Sequence, residues 1–103
     1  MNVETYQLGG RLDSANYRQV QTDILPILEK DCNMVLDMTS CTYVSSAGLR
    51  VLLYSQKVAA SKGLSVYLVG VNDHVKDVMA VTGFDHFFEM FDTMEACLEK
   101  LKN

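Results

Sequence analysis

Short apolar runs that are typical of strands alternate with segments of helical periodicity along the whole of this 103-residue chain. Strands are predicted at residues 4–8, 34–38, 64–69 and 87–91, and a helical segment follows each of them. The second and third runs are mostly apolar, which is typical of central strands buried on both faces. The alternation predicts one α/β domain over residues 1–103, with a mainly parallel or mixed sheet of about four strands and about four helices.

Residues that commonly begin or end helices flank the helical segments. Asp13 and Ser14 are predicted to cap the first helix, whose apolar face runs from Tyr17 to Leu28, and Pro26 should kink or shorten it. The later helices are predicted at residues 46–62, from residue 72 or 73 to residue 82, and at residues 93–101. Their expected boundary residues are Ser45 or Ser46, Gly63, Asn72 or Asp73, Gly83 and Thr93.

Composition and charge exclude several classes of function. A formal charge of −4 argues against direct nucleic-acid binding, which requires a basic surface. No run approaches the ~18 consecutive apolar residues that a membrane span needs, and the amino terminus lacks the features of a signal peptide. The three cysteines are widely spaced and form no Cys-x-x-Cys pair, which indicates reduced thiols. We therefore expect a cytoplasmic protein with no membrane insertion, metal or other cofactor.

The most informative stretch is DMTSCTYVSSAGLR at residues 37–50, where a buried strand ends and a polar loop leads into a helix. It places Ser45 and Ser46 at the start of that helix, before the small residues Ala47 and Gly48, which would let another backbone approach closely. Unpaired amides and the helix dipole at this end favour a hydroxyl cap or an attached phosphate. A capping serine and a phosphate-accepting serine are both open interpretations, and they are compatible.

Two other chemistries are poorly supported. A hydrolase with Ser46 as nucleophile would need a base, but the chain has no Gly-x-Ser-x-Gly motif, and His74 and His86 are expected at the surface. A magnesium site from Asp13 and Asp37 would also need a larger acidic cluster and a suitably placed lysine, which this sequence does not provide. We expect Asp13 to cap a helix or hydrogen-bond within a loop, with direct partner contact as the alternative.

Three motifs together resemble the STAS domain, a family named for sulfate transporters and anti-sigma factor antagonists. The sequence YVSSAGLRVLL at residues 43–53 is similar to the signature of the bacterial antagonists, in which an aromatic, an aliphatic, an aspartate and a serine precede a Gly-Leu pair and an apolar helix. Residues 10–13, GRLD, resemble the family's Gly-x-Leu-Asp element, and residues 35–38, VLDM, resemble its central strand. The order and spacing of elements match over nearly the whole chain.

The resemblance implies an anti-sigma factor antagonist, which is a protein-binding switch and not an enzyme. Its unphosphorylated form would bind an anti-sigma factor that has a histidine-kinase-like ATPase domain and acts as a serine kinase. Ser46 matches the serine that such kinases phosphorylate, and a PP2C-type phosphatase would reverse the modification. The implied partner-binding residues are Asp13, Ser45, Ser46, Ala47, Gly48 and Arg50.

Some assignments stay open at this point. In a STAS-type structural subunit of a transport or signalling complex, Ser46 would be a cap or contact that is never phosphorylated. Arg50 either contacts an acidic partner or is simply solvated, and Tyr43 is expected to pack under the serine loop.

This chain departs from the family pattern in two ways. Ser45 stands where many members have aspartate, so one negative charge beside Ser46 is missing and phosphorylation by the kinase is an open question. Family members usually have another strand before the strand that leads into the Gly-x-Leu-Asp element, which is predicted here at residues 4–8. We therefore expect that first strand to be reduced or missing, and an exposed sheet edge of this kind would allow a homodimer.

Overall fold

The computed structural model describes residues 3–102 and contains a central sheet with helices on both faces. The strands are β1 (Val3–Gln7), β2 (Gly10–Leu12), β3 (Asn33–Asp37), β4 (Cys41–Val44), β5 (Val66–Val69) and β6 (Glu89–Phe91). The helices are α1 (Tyr17–Leu28), α2 (Ser46–Ser61), α3 (Asp73–Thr82) and α4 (Met94–Lys102). Four strands form a sheet in the order β1-β3-β5-β6, and every neighbouring pair is parallel. The predicted α/β fold is confirmed.

The two faces of the sheet are covered by different helices. Side chains alternate along β3, so Met34 and Leu36 enter the larger core with residues of α1, α2 and α3. Val35 points the other way and belongs to a smaller core with Cys97 of α4. Strand β3 is buried on both faces, which explains why its sequence is mostly apolar.

A second sheet, in which β2 pairs in parallel with β4, is not predicted by the sequence pattern. Its register places Leu12 beside Val44, and both side chains are buried. The two strands have only three and four residues, and Arg11 and Tyr43 within them are exposed, so little apolar periodicity is visible. This small sheet holds the segment that leads into α2 and therefore positions the two serines.

One prediction about α1 is wrong and a second is wrong in part. The helix begins at Tyr17 and not directly after Asp13, because the Asp13 carbonyl accepts hydrogen bonds from the Asn16 and Tyr17 amides and closes a turn first. The helix also continues past Pro26 to Leu28, so the predicted shortening is wrong, whereas a kink at Pro26 stays a prediction. A proline removes one backbone hydrogen bond, but Ile24 and Leu28 on either side of it are buried in the larger core and hold both halves in place.

Most predicted helix boundaries are confirmed. Asn72 caps α3, the Thr93 hydroxyl accepts from the Ala96 amide at the start of α4, and Gly63 and Gly83 follow α2 and α3 with left-handed backbones. The predicted strand at residues 87–91 is partly wrong, because residues from Phe84 to Phe87 form a 3₁₀ turn before β6.

The two edges of the larger sheet are β1 and β6. The expected loss of a further first strand concerns the chain before Val3, outside the residues that the structure describes, and the homodimer stays a prediction. Between Val3 and Lys102, no helix is long and apolar enough to cross a membrane.

Candidate functional site

The loop before α2 is fixed by the small sheet. Strand β4 ends at Val44, and the next amide, that of Ser45, donates to the Leu12 carbonyl at 2.9 Å. Leu12 ends β2, so Asp13 and Ser45 each follow a strand of the same parallel pair. The ends of these two strands therefore bring the Gly-x-Leu-Asp element and the serine motif to one edge of the molecule. The family resemblance implies partner-binding residues in both of these motifs.

The two serines have different roles. Ser45 has an extended backbone, and its Oγ accepts a hydrogen bond from the Gly48 amide at 3.2 Å, so Ser45 is the cap of α2. Ser46 is the first residue of the helix and is exposed. Among residues 3–102 the Ser46 hydroxyl has no hydrogen-bond partner. The sequence alone allows either serine to cap, and in the structure Ser45 has that role, so the Ser46 hydroxyl is not used in the cap.

Gly48 explains why the start of α2 must be slim. A Cβ at this position would lie 2.6 Å from the carbonyl oxygen of Leu12 and 2.7 Å from its Cγ. The close backbone approach expected at Gly48 therefore occurs within this chain. Gly48 is buried, whereas the neighbouring Ala47 is half-buried. The sequence motif thus combines one residue that packs inward, Gly48, with two, Ser46 and Ala47, that are fully or partly exposed.

Asp13 is half-buried and engaged in local contacts. One carboxylate oxygen accepts from the Ala15 amide at 2.9 Å, and the other lies 3.2 Å from Arg11 Nε. The Arg11 guanidinium also lies over the Tyr43 ring, 4.9 Å from its centroid. Tyr43 is 38% exposed, so the expectation that it packs under the serine loop is wrong: it supports Arg11 on the surface. Asp13 therefore forms hydrogen bonds within a loop, as the sequence predicts for one of its possible roles.

Asp37 shapes the loop after β3. Its Oδ1 accepts from the Thr39 hydroxyl at 2.6 Å and from the Thr39 amide at 3.1 Å. Thr39 in turn packs against Gly70, where a Cβ would lie 2.5 Å from the Thr39 hydroxyl. The carboxylates of Asp13 and Asp37 are therefore both used in local hydrogen bonds.

Asn72 connects the start of α3 to this edge. Its Oδ1 caps α3 by accepting from the Val75 amide at 2.8 Å, while its Nδ2 donates to the carbonyls of Cys41 and Thr42, each at 3.3 Å. The sequence predicts the cap but not the link to β4, since the partners lie about thirty residues apart in the chain.

The buried thiol of Cys41 lies in β4. Burial raises the pKa of the Cys41 thiol, and its sulfur lies 3.5 Å from the Tyr43 carbonyl oxygen. A thiol with a raised pKa is protonated at neutral pH and is a poor nucleophile. Cys41 thus packs in the core, as its burial indicates, whereas Ser46 is exposed.

A groove that the sequence pattern does not predict runs between α1 and α2 beside Ser46. It has a volume of about 310 Å³ and is lined by Tyr17, Gln21, Ala47, Arg50, Val51 and Tyr54. Residues 47, 50, 51 and 54 recur at three- and four-residue spacing, so helical periodicity would place them on one face. Arg50 is exposed, four residues after Ser46 on the same helix face. We call this feature the α1–α2 groove.

Comparison with known proteins agrees with this fold and site. A curated relative from Bordetella bronchiseptica, named putative anti-sigma factor antagonist BtrV, is 31% identical over 96 residues, which are 92% of this chain and 83% of BtrV. The crystal structure of a putative anti-sigma factor antagonist from Thermotoga maritima superposes with a TM-score of 0.90 at 21% identity and covers 98% of this chain and 88% of that one.

The fold is also found as part of a transporter. The murine anion transporter Slc26a9 matches with a TM-score of 0.84 at 19% identity, over 98% of this chain but only 18% of the transporter. At these identities the two structural matches establish the fold alone. The family model of the STAS domain matches residues 2–97. With the Gly-x-Leu-Asp element and the serine motif meeting at one edge, these matches show that the chain belongs to the STAS domain family.

Proposed function

We propose that this chain is an anti-sigma factor antagonist that binds an anti-sigma factor and releases it when Ser46 is phosphorylated. The observation that carries the proposal is the contrast between the two serines. Ser45 uses its hydroxyl to cap α2, whereas the Ser46 hydroxyl is exposed and has no hydrogen-bond partner among the described residues. A kinase can therefore reach Ser46 without breaking the cap. The relationship to BtrV supports the same function.

The proposed partner is an anti-sigma factor whose histidine-kinase-like ATPase domain acts as the serine kinase. A PP2C-type phosphatase would restore the unphosphorylated form, and the exchange would take place in the cytoplasm. The kinase supplies the catalytic base, so this chain needs none of its own. His86 and His74 are both exposed, and neither lines the α1–α2 groove beside Ser46.

Phosphorylation would act through local charge. A phosphate adds about −1.5 to −2 charge at neutral pH. At the first position of α2 the helix dipole favours that charge within the free protein. At an interface that fits a bare hydroxyl, the same group would clash, lose its solvation and repel carboxylates of the partner. The fold itself needs no rearrangement for the switch to operate.

The serine at position 45 is compatible with this proposal. Aspartate and serine are both good helix caps, and the cap of α2 is formed here by the Ser45 hydroxyl. What differs is charge, because a neutral cap leaves the surroundings of Ser46 less negative before modification. A phosphate adds its own charge in either case, so we expect the phosphorylated edge to be less negative in this chain than beside an aspartate.

A kinase assay tests the proposal. The full chain is incubated with the cognate anti-sigma kinase and ATP, and intact-mass spectrometry with fragmentation locates any added phosphate. We expect one phosphate on Ser46, none on the variant Ser46→Ala, and continued modification of Ser45→Ala, the matched control beside it. Ser46→Ala should still bind the kinase, whereas Ser46→Asp should bind it more weakly. Equal affinities of wild type and Ser46→Asp would contradict the proposal.

A second candidate is a STAS structural subunit of a transport or signalling complex, in which Ser46 is never phosphorylated. The match to one part of Slc26a9 is the observation that favours this candidate, because the same fold is part of a membrane transporter there. In that case the kinase would neither bind nor modify the chain.

A further inference from the structure

The α1–α2 groove combines apolar and aromatic surface with positive charge. Val51 is buried at the groove, Ala47 and Tyr17 are half-buried, and Tyr54 is 40% exposed. Tyrosine and arginine are enriched among the residues that contribute most to protein–protein binding energy. The groove therefore has the composition of an interface and lies directly beside the proposed modification site.

Two of the three arginines of the chain lie at the groove or against a residue that lines it. Arg50 lines it, and Arg18 lies over the Tyr17 ring at 5.6 Å from the centroid, with its Nε donating to the Tyr17 hydroxyl at 3.0 Å. Among residues 3–102 neither arginine forms an ion pair with a carboxylate, whereas Arg11 pairs with Asp13. Both exposed guanidinium groups are thus available to a partner.

The nearby acidic residue of α1 does not neutralise these arginines. Asp23 accepts hydrogen bonds from the Tyr6 hydroxyl at 2.9 Å and from the Gln19 side chain at 2.8 Å. Tyr6 belongs to β1, so Asp23 is directed towards the sheet edge. Among the described residues, those that line the groove include one basic side chain, that of Arg50, and no acidic one, so the lining itself carries positive charge.

We infer that the groove receives an acidic segment of the anti-sigma factor, in which an apolar side chain is flanked by carboxylates. The apolar side chain would pack on Val51 and Tyr54, and the carboxylates would pair with Arg18 and Arg50. Guanidinium groups bind carboxylates through two parallel hydrogen bonds, which gives such contacts both strength and a defined geometry. This inference rests on the proposed function and names the chemistry of the partner surface.

The position of Ser46 connects the groove to phosphorylation. Ser46 immediately precedes Ala47 of the groove and lies one helical turn from Arg50. A phosphate on Ser46 would add negative charge at the mouth of the groove, where it repels the acidic segment and competes with it for Arg50. Loss of binding then follows from the electrostatics of the groove as well as from steric conflict at the serine.

Charge reversal tests the inference. Affinities of the full chain for the purified cognate anti-sigma kinase are measured at low and high salt for wild type, Arg18→Glu, Arg50→Glu and Lys102→Glu. Lys102 is exposed on α4, on the opposite face of the sheet, so it is a control with the same change of charge. We expect each arginine variant to bind about tenfold more weakly or worse, with Lys102→Glu unchanged. Wild-type affinity should also fall more steeply with salt than that of the arginine variants.

The outcomes separate the inference from the proposed function. If the kinase binds wild type and both arginine variants equally, the groove assignment is overturned while the proposed function stands. If the kinase neither binds nor phosphorylates wild type, the proposed function is overturned and this inference with it. A dimer of the chain that dissociates in both arginine variants would assign the groove to a second copy and overturn the acidic-segment assignment. Arg18→Gln and Arg50→Gln, which keep a polar side chain, repeat the test if a glutamate variant fails to fold.

Discussion

Helices α2 and α3 begin with nearly the same local geometry but with different charge. The capping residues Ser45 and Asn72 are extended, with ψ of 174° and 166°, and each side-chain oxygen accepts from the amide three residues later. In α3 the first helical residue is Asp73, which carries a permanent negative charge. In α2 the first helical residue is Ser46, whose hydroxyl is neutral until it is modified.

This comparison shows that a negative charge at the first helical position fits the capped geometry. The helix dipole stabilises acidic groups there by about 0.3–1 kcal/mol. A phosphate on Ser46 would give α2 the kind of charge that α3 already carries at Asp73. The comparison therefore supports a modification that leaves the fold intact and acts on whatever protein contacts Ser46.

The third helical position shows the largest structural difference between the two helices. In α3 it is Val75, which is buried in the larger core, and in α2 it is Gly48, which lies against the Leu12 backbone. We expect Gly48→Ala to lower the free energy of unfolding by about 2–3 kcal/mol because the new Cβ overlaps a backbone carbonyl that cannot move freely. Urea denaturation followed by circular dichroism measures this change.

The matched control for that substitution is Gly9→Ala. A Cβ on Gly9 would have no atom within 4 Å, and Gly9 is not among the positive-φ glycines. Its effect should stay within about 0.5 kcal/mol. If Gly48→Ala were equally mild, the packing of α2 on β2 would not constrain the serine edge in the way that the structure indicates.

Removal of either helix cap should have an effect of intermediate size on the free energy of unfolding, and the two losses should differ. Ser45→Ala removes one cap hydrogen bond and should cost about 1 kcal/mol of unfolding free energy. Asn72→Ala also removes the two hydrogen bonds to the carbonyls of Cys41 and Thr42, so we expect about 2 kcal/mol. Equal losses in the same urea measurement would show that the link from α3 to β4 contributes nothing to stability.

The smallest expected effect concerns the first helical position itself. Ser46→Asp should leave the free energy of unfolding unchanged or raise it by about 0.5 kcal/mol, and Asp73→Asn should lower it by a similar amount. Both changes follow from the dipole and should shrink with added salt. A loss of more than about 1 kcal/mol in Ser46→Asp would mean that negative charge disturbs the fold at α2, contrary to the comparison with α3.

Local sequence signals predict much of this molecule. The apolar runs around Val35 and Leu68 mark the central strands, and Asn72, Gly63 and Thr93 mark helix boundaries, because each acts on neighbours within a few residues. The prediction that Ser45 and Ser46 begin a helix is confirmed for the same reason. Pro26 is different. Proline tends to end a helix, but α1 continues past Pro26, where Ile24 and Leu28 on either side of it are buried.

Features that depend on contacts between distant parts of the chain could not be predicted from the sequence pattern. Pairing of Leu12 with Val44 brings together strands that are too short to show periodicity, and it decides which serine is held as the cap. The stacking of Arg11 on Tyr43 depends on the same pairing. The α1–α2 groove needs two helices to meet, so a single segment could at most indicate one of its walls.

The central claim is that a partner detects whether the Ser46 hydroxyl is bare or phosphorylated while the fold stays the same. The direct test incorporates phosphoserine at position 46 and measures the affinity of this protein and of the unmodified chain for the cognate anti-sigma kinase, with urea denaturation of both in parallel. We predict at least a hundredfold weaker binding, which corresponds to about 2.7 kcal/mol, with no loss of unfolding free energy. Equal affinities of the two forms, or weaker binding that is explained by partial unfolding, would contradict the account.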